Sequence, residues 1–562
     1  VLTRITEGRG RIEDLDLLRE LSAGMETASL CALGQLTPGP IKAALRFFED
    51  EFVTHIVDKR CPTGVCKSLV RARCTNACPA EVDVPSYIAL VAQGRYAEAL
   101  EIHRQANPFA LACGRVCPAF CEARCRRGDI DEAIAIRDAK RYMADHELDH
   151  PWTPAFQREP KQERVAVVGA GPAGLTAALR LAQQGYQVKV FEKLPVAGGM
   201  MTVGIPDYRL PRDVLNVEIE NIERAGVEIH CGHALGRDFT LDSLLDEQGY
   251  SAVVLAIGAH ESGKLRIEGE DKKGVVHGVD FLRDVALGNE PDLTGKRVGV
   301  VGGGNVAIDA VRTAWRLGAS EVHVIYRRRR EDMPAYEEEI HAAEEEGAQF
   351  HYLTNPTRVL GDGQVTGVEC LEHALGDFDR SARRRPVPIS GSEFVIGLDM
   401  LIPAIGQSPE VSGLDGQVEL QRNRTLAVDD ALCTSRVGVF AAGDAVLGPA
   451  TVVEAVAQGN AVARAVDHYL RTGRAEKLIT LPGYEVVNQP FNLDDYADAL
   501  PPEMPELSIE ERRGNFREVE LGLDEHAIQE ECRRCLRCDL EWLEEQGLAF
   551  EPAPERQAVE VA

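Results

Sequence analysis

Fifteen cysteines are spread unevenly over 562 residues. Nine precede residue 126, three lie within Cys532–Cys538, and Cys231, Cys370 and Cys433 stand apart. Such grouping suits thiolate ligation of a metal or an iron–sulfur core better than disulfides in a large chain. The scattered three read as small buried apolar residues. Glycines are the other residues placed for chemistry. Val165-Ala-Val-Val-Gly-Ala-Gly-Pro-Ala-Gly174 and Val298-Gly-Val-Val-Gly-Gly-Gly-Asn-Val-Ala307 each end an apolar run and open an Ala-rich one. In the first, Gly169 makes the tight turn, Gly171 lets backbone approach a pyrophosphate and Gly174 lets helix pack on strand. The helix N-terminus then attracts phosphate. Glu192 ends the next strand, Gln187–Glu192, where an acid can bind ribose hydroxyls. The second turn, Gly302-x-Gly304-Asn305-Val306-Ala307, is followed by the strand Glu321–Tyr326. Where an NAD site would carry an acid, the chain runs Arg327-Arg328-Arg329-Arg330. Guanidinium forks suit a 2′-phosphate, so the expectation is NADP(H) over NAD.

The elements that must hold these residues follow from periodicity. Residues 163–475 alternate strands and helices, as doubly wound α/β domains do. The strands 252–258 and 399–406 look like crossovers, which makes the second unit, about 293–407, an insertion in the first. Residues 1–60 read as helical, with helices over 11–25 and 40–52. Residues 61–150 carry short helices near 86–91 and 96–105. Pro151-Trp-Thr-Pro154 and Glu159-Pro160 form a linker. From 476 the chain is Pro-rich and acidic, then helical from about 524 to 546. A net charge of −28 argues against nucleic acid or an anionic membrane as partner. There is no apolar stretch of spanning length and no basic-then-apolar leader, so neither membrane insertion nor export is expected, and the location is read as cytoplasmic. The chain opens on Val1, as a fragment would or as a translation from a valine-type start codon.

Val437-Gly-Val-Phe-Ala-Ala-Gly443-Asp444, with a helix start at Thr451-Val452, resembles the second flavin fingerprint of the two-dinucleotide-domain flavoproteins. That resemblance makes the first turn an FAD site, puts Asp444 on the ribityl chain and faces the helix from Thr451 toward the ring. Lys193 and Gly199 complete the FAD candidates, and Gly406 the nicotinamide ones. Disulfide reductases of the thioredoxin-reductase type share this architecture but need a redox cysteine pair. Residues 193–215 hold no cysteine and the insertion only Cys370, so that reading is rejected. The phrase Ala197-Gly-Gly-Met200…Gly204-Ile-Pro-Asp-Tyr-Arg-Leu-Pro211, with Arg327–Ala335, resembles instead the small subunit of NADPH-dependent glutamate synthase. Its relatives in dihydropyrimidine dehydrogenase and transhydrogenase complexes share the likeness, which covers roughly residues 74–475.

Cys74-Thr-Asn-Ala-Cys78-Pro and Cys113-Gly-Arg-Val-Cys117-Pro-Ala-Phe-Cys121-Glu-Ala-Arg-Cys125 carry the same resemblance, which implies two [4Fe–4S] clusters. Zinc is the competing reading of four-cysteine sets. The family's opening Arg-Cys-x-x-Cys phrase is absent before Cys74. Cys61…Cys66 could replace it, or the tail Cys532-Arg-Arg-Cys535-Leu-Arg-Cys538, whose wording matches the missing phrase. We expect the tail to fold back. One cluster would take Cys74, Cys125, Cys535 and Cys538, the other Cys78, Cys117, Cys121 and Cys113. The family's non-cysteine ligand would fall near Lys140, and lysine is a poor ligand. Ser29-Leu-Cys31-Ala-Leu-Gly34 and Cys61-Pro-Thr-Gly-Val-Cys66-Lys resemble the C-terminal end of the FMN-binding subunit of complex I and multimeric hydrogenases. There the Cys31 position is the last ligand of a [4Fe–4S] cluster whose other ligands lie upstream. Here those are missing, so Cys31 completes a cluster across a subunit boundary, is a relic, or marks a truncation. His55, Cys61 and Cys66 could hold zinc with one more thiolate, for which Cys532 is a candidate.

The expected fold class is α/β: two Rossmann-like dinucleotide-binding domains, the NADP domain inserted in the FAD domain, behind an α-helical iron–sulfur domain. The expected boundaries are 1–60 for the complex I-like head, 61–158 for the iron–sulfur domain, 159–292 with 408–475 for FAD, 293–407 for NADP and 476–562 for the tail. The function implied is electron transfer between NADP(H) and a partner redox subunit through FAD and two [4Fe–4S] clusters. The setting expected is a hydrogenase- or formate-dehydrogenase-like complex, with ferredoxin a further partner. The alternatives are a glutamate synthase small subunit feeding an amidotransferase, and a non-catalytic adaptor stapled by its clusters.

Overall fold

A computed structural model describes residues 1–150, 152, 159–378, 383–414, 416–478, 487, 500–545 and 547. The chain forms two compact units. One is Val1–His150 with Leu478–Glu503 and Leu523–Ala562, the other Pro151–Lys477 with Met504–Gly522. The expected linker at 151–154, apart from Trp152, lies outside the described residues, as does most of the Pro-rich stretch after 478.

The second unit holds two parallel sheets whose inner strands are buried on both faces, hence their unbroken Val and Ile runs. The first sheet runs Val439–Ala441, Ala252–Leu255, Arg164–Val168, Gln187–Glu192, Glu228–Cys231. The second runs Met400–Pro403, Arg297–Val301, Glu321–Tyr326, Gln349–Tyr352. The two connections between them pair as one short antiparallel ladder, Ser262 with Gln407 and Glu261 with Ser408. This is the inserted α/β arrangement expected. The helix Gly278–Ala286, ahead of that insertion, also puts Phe281 and Leu282 into the core of the second sheet. An apolar stripe says that a helix is buried but not against which sheet. An antiparallel sheet over Thr354–Leu360, Gly367–Phe378, Arg384–Pro388 and Phe394–Gly397, not foreseen, fills the gap before the last parallel strand. Part of the tail joins this unit too: the Val519 N–H donates to the Tyr208 carbonyl at 3.0 Å and the Leu507 N–H to that of Val519 at 2.9 Å.

The first unit is helical. Glu13–Ala28 and Gly39–Phe47 close over Ile5, Leu15, Leu18, Leu45 and Ile56. The cysteine-rich part is built on Arg73–Ala77, Val84–Val91, Tyr96–Ala106, Ala110–Val116 and Ile136–Asp149. The tail helix Glu525–Arg533 packs on Val84–Val91 and Ile136–Asp149. Buried ions fix it there. The Arg534 guanidinium bonds Glu531 at 2.8 Å and Asp131 at 3.1 Å, and Glu531 accepts the Ala135 N–H at 2.8 Å. Arg537, with no exposed side chain, donates to the Val487 carbonyl at 2.6 Å and to Asp539.

Candidate functional site

The two glycine turns are built alike. Gly169 has φ +106°, and a Cβ there would sit 2.2 Å from the Ala256 carbonyl oxygen; at Gly302, φ +146°, it would meet the Ala404 oxygen at 2.2 Å. Each turn is thus pressed onto the end of the neighbouring strand, where only glycine fits. The next glycines are open: a Cβ on Gly171 meets nothing nearer than Gly199 Cα at 3.9 Å, and on Gly304 nothing nearer than Pro334 Cγ at 3.9 Å. The helices Pro172–Gln183 and Asn305–Arg316 start there, so a pyrophosphate could approach free N–H groups.

Around the first turn, the Glu192 carboxylate is buried and accepts the Ala170 N–H at 2.7 Å and the Leu194 N–H at 2.8 Å. The acid read as a ribose partner therefore also braces the glycine loop. Asp444 opens a short helix after the strand Val439–Ala441. Burial pushes its carboxyl up to about 7, opposed only in part by the Ala450 N–H. A carboxyl so short of donors fits a site for ligand hydroxyls. Thr451 caps the helix Val452–Thr472 through a reciprocal pair with Glu454. Lys193 is exposed and paired with Glu410.

Around the second turn the phrase 327–335 folds back. The Ala335 N–H donates to the Gly303 carbonyl at 3.1 Å and the Tyr336 N–H to Asn305 Oδ1 at 3.0 Å. Val306 packs against the core of that sheet, and Gly406, at φ +117°, follows the returning strand. The four arginines divide in role. Arg329 bonds Asp332 at 3.1 Å and Arg330 bonds Glu344 at 3.0 Å, while Arg328 is buried with Nε on the Arg384 carbonyl at 3.2 Å. Arg327 is exposed and has no ion pair among the described residues. Sequence reading missed Arg209, which links the phrase 204–211 to the second turn's helix by bonding Asp309 at 2.8 Å and Glu339 at 2.8 Å. Its place inside that phrase was the available signal.

All fifteen cysteines are free thiols. Cys74, Cys125, Cys535 and Cys538 line one cavity together with Val84, Pro85, Ile88, Ile134 and Ile136. Burial, then the sulfurs of Cys535, Cys125, Cys121 and Cys538, push the Cys74 thiol far up. A second group, Cys117, Cys113, Cys121 and Cys78, lies within electrostatic reach of the buried Lys140. Thiols gathered in apolar surroundings without disulfides fit a metal core, since thiolates there need cationic partners. Geometry separates a single ion from a polynuclear core. Tetrahedral zinc with bonds of ~2.3 Å brings its sulfurs to about 3.8 Å. Among the described residues, His55, Cys61 and Cys66 are the sole trio of His, Cys, Asp or Glu whose ligand atoms all lie within 4.8 Å of one another. Neither of the other two cysteine groups is set that close, which distinguishes them from a single-ion site.

In that compact trio, His55 Nδ1 bonds the Glu51 carbonyl at 2.7 Å and Nε2 lies 3.4 Å from Cys66 Sγ. The carbonyl fixes the ring so that Nε2 is free to ligate. Burial raises the Cys66 thiol; at Cys61 burial is outweighed by the Thr63 hydroxyl and the Cys66 and Val65 N–H groups, which lower it. Cys532 is not in the trio. It is fully buried in the tail helix beside Cys535, so the fourth position expected of it is not filled by it. Cys31 is exposed and caps the helix Ala32–Leu36, its sulfur accepting the Gly34 N–H at 3.5 Å. Of the scattered three, Cys370 is buried, but Cys231 and Cys433 are only half-buried.

Comparison with known proteins assigns three stretches of the chain to families. Residues 163–459 match the pyridine nucleotide-disulphide oxidoreductase family model. Residues 49–152 match dihydropyrimidine dehydrogenase domain II, 4Fe-4S cluster, and residues 1–55 the NADH-ubiquinone oxidoreductase-F iron-sulfur binding region. The beta subunit of an NADP(+)-dependent formate dehydrogenase from Moorella thermoacetica is 41% identical, covering 96% of this chain and 86% of its own. The NADPH-Fe(3+) oxidoreductase subunit beta of Geobacter sulfurreducens shows the same identity and coverage, 41%, 96% and 86%. The glutamate synthase [NADPH] small chain of Escherichia coli is 35% identical over 72% of this chain and 90% of its own. No helix among the described residues is long and apolar enough to cross a membrane. The chain belongs to the pyridine nucleotide-disulphide oxidoreductase family, as an electron-transfer subunit with 4Fe-4S domains ahead of two nucleotide-binding sheets.

Proposed function

We propose that this subunit carries electrons between NADP(H) and a partner redox subunit, with FAD at the Gly169 turn, NADP(H) at the Gly302 turn and two [4Fe–4S] clusters in the helical unit. The chemistry such cofactors supply is the splitting of a hydride into single electrons. The protein's part is placement. Gly171 and Gly304 leave room for pyrophosphate, Glu192 and Asp444 offer carboxylates to hydroxyls, and Arg327 offers an exposed guanidinium to a 2′-phosphate. Cys74, Cys125, Cys535 and Cys538 would hold one cluster, and Cys78, Cys113, Cys117 and Cys121 the other. The observation that carries the reading is four free thiols from both ends of the chain facing one cavity. His55, Cys61 and Cys66 would hold a single zinc-like ion, on the strength of their closeness.

The partner we favour is a metal-containing oxidoreductase such as a formate dehydrogenase or hydrogenase. The formate dehydrogenase and iron(III) reductase subunits match 96% of this chain, against 72% for the glutamate synthase small chain. Cys31 stands exposed between Leu30 and Leu33, themselves exposed at 105% and 78%. This apolar strip is the face we assign to that partner. The test is anaerobic mixing of the purified chain with NADPH. Bleaching of flavin and then of iron–sulfur absorbance is expected; an unchanged spectrum would overturn the relay.

A further inference from the structure

Two bodies joined along one short ladder keep rotational freedom about it, and contacts outside that ladder are what remove it. In the second unit the ladder is the pairing of Ser262 with Gln407 and of Glu261 with Ser408. Residues 504–522 belong to the same unit but lie beyond the family match, which ends at 459. Their two ends pair with each other. The Leu507 N–H donates to the Val519 carbonyl at 2.9 Å, the Leu521 N–H donates to the Pro505 carbonyl at 2.8 Å, and Glu506 bridges Glu520 antiparallel. The segment is thus a closed loop, with Leu507, Arg512 and Val519 buried.

The loop holds residues that belong to both sheets. On the side of the first, it grips the phrase Gly204–Pro211, which leads into the helix Arg212–Arg224, packed on Pro172–Gln183. The Val519 N–H donates to the Tyr208 carbonyl at 3.0 Å, and the Phe516 and Tyr208 ring centroids are 6.3 Å apart. On the side of the second, Arg513 lies over Trp315 at 5.8 Å and Arg512 Nη1 is 3.8 Å from Glu346 Oε1. Glu346 also accepts from Arg312 and Arg316, each at 2.9 Å. Those two guanidiniums cover the Tyr208 ring at 5.0 and 3.8 Å. The Arg512 Nε and Nη2 are engaged inside the loop, on the Leu507 carbonyl at 2.7 Å and on Glu506 at 2.6 Å. A planar guanidinium fixed at two corners presents its third in one place. Burial leaves its attraction to Glu346 little screened.

We propose that Met504–Gly522 is a strap that holds the two nucleotide-binding sheets at the orientation hydride transfer needs, and that Arg512 is its positioning residue. The inference rests on the reading of the Gly169 and Gly302 turns as the FAD and NADP(H) sites. The strap grips Tyr208, Trp315 and Glu346 rather than either glycine turn, so it acts on geometry and not on affinity. Loosening it lowers the rate of the step, because misplacing reacting atoms by ~1 Å can cost ~100-fold.

The test compares the full chain with Arg512→Met and with Val519→Pro, which removes the N–H bonded to Tyr208. Arg512→Met leaves Glu346 paired with Arg312 and Arg316, so the core should persist. Amide hydrogen exchange should quicken over 204–211 and 504–522 and stay at the wild-type level over the strands 164–168 and 297–301. Flavin reduction at saturating NADPH, followed by stopped flow, should slow by at least ~10-fold, with bound FAD and the Kd for NADPH unchanged. If one variant loses FAD, the other decides; loss of FAD from both overturns the proposal. So do unchanged exchange, an unchanged or faster rate, and a slowing accounted for by weaker NADPH binding. Wild-type flavin that NADPH does not reduce overturns instead the reading of the two nucleotide sites, and this inference with it.

Discussion

Arg327 and Asp444 have opposite needs, and both point to ligands. Arg327 is an exposed cation with no ion pair among the described residues, while its neighbours Arg329 and Arg330 are paired with Asp332 and Glu344. A hydrogen bond to a charged group contributes roughly 1.5–3 kcal/mol. Arg327→Ala should therefore raise KM for NADPH by roughly 10–100-fold and leave KM for NADH nearly unchanged. Equal losses for the two coenzymes would remove the 2′-phosphate from this arginine. Asp444 is a carboxyl raised by burial from 3.8 to about 7. Because its folded value lies above its unfolded one, its contribution to stability is full below about pH 4 and lost as pH rises through about 7. In the flavin-free chain, Asp444→Asn should flatten the fall of Tm across that window. A slope identical to wild type would show that Asp444 does not titrate there.

The tail helix Glu525–Arg533 and the turn after it bring Cys535 and Cys538 to the cavity that also exposes Cys74 and Cys125. Glu531 holds this element, since it bonds the Ala135 N–H and Arg534, whose guanidinium is buried with it. Removing one partner of a buried ion pair costs about 3–5 kcal/mol. Glu531→Ala changes no thiol, yet iron per chain should drop by about one cluster, as it should for Cys535→Ser. Full iron in Glu531→Ala would show that the tail is held by other contacts. Much of this was legible in advance. The parallel sheets, their glycine turns and the inserted topology follow from apolar runs that end in fixed spacings. The return of the tail was legible from wording alone, because Cys532–Cys538 repeats a phrase missing upstream. What stayed hidden depends on partners far away in sequence. Nothing in the stripe of Gly278–Ala286 names its sheet, and nothing in Cys532 says that it packs beside Cys535 rather than beside His55. Strands such as Thr354–Leu360 alternate too weakly to stand out from loop.

At the scale of the whole molecule the two units divide the labour: thiols gather in the helical one and glycine turns in the sheet-bearing one. Residues 504–522 belong to the second unit and residues 523–545 to the first. On the proposed placement, hydride chemistry asks most of the second unit, because nucleotides at the Gly169 and Gly302 turns would have to meet at one distance and angle. Among the described residues, the two connections between those sheets pair with each other in one short ladder, at Ser262–Gln407. Arg209 adds the buried ionic link, with Asp309 and Glu339 both on it. Misplacing reacting atoms by ~1 Å can cost ~100-fold in rate, so this link should matter more to speed than to cofactor content. Arg209→Met leaves the buried Asp309 and the half-buried Glu339 without that guanidinium, and burial already raises the Asp309 carboxyl to about 6. Flavin reduction by NADPH, followed by stopped flow at saturating coenzyme, should slow by at least ~10-fold while bound FAD per chain stays constant. An unchanged rate with normal flavin content would show that the ladder and the surrounding core orient the sheets without it.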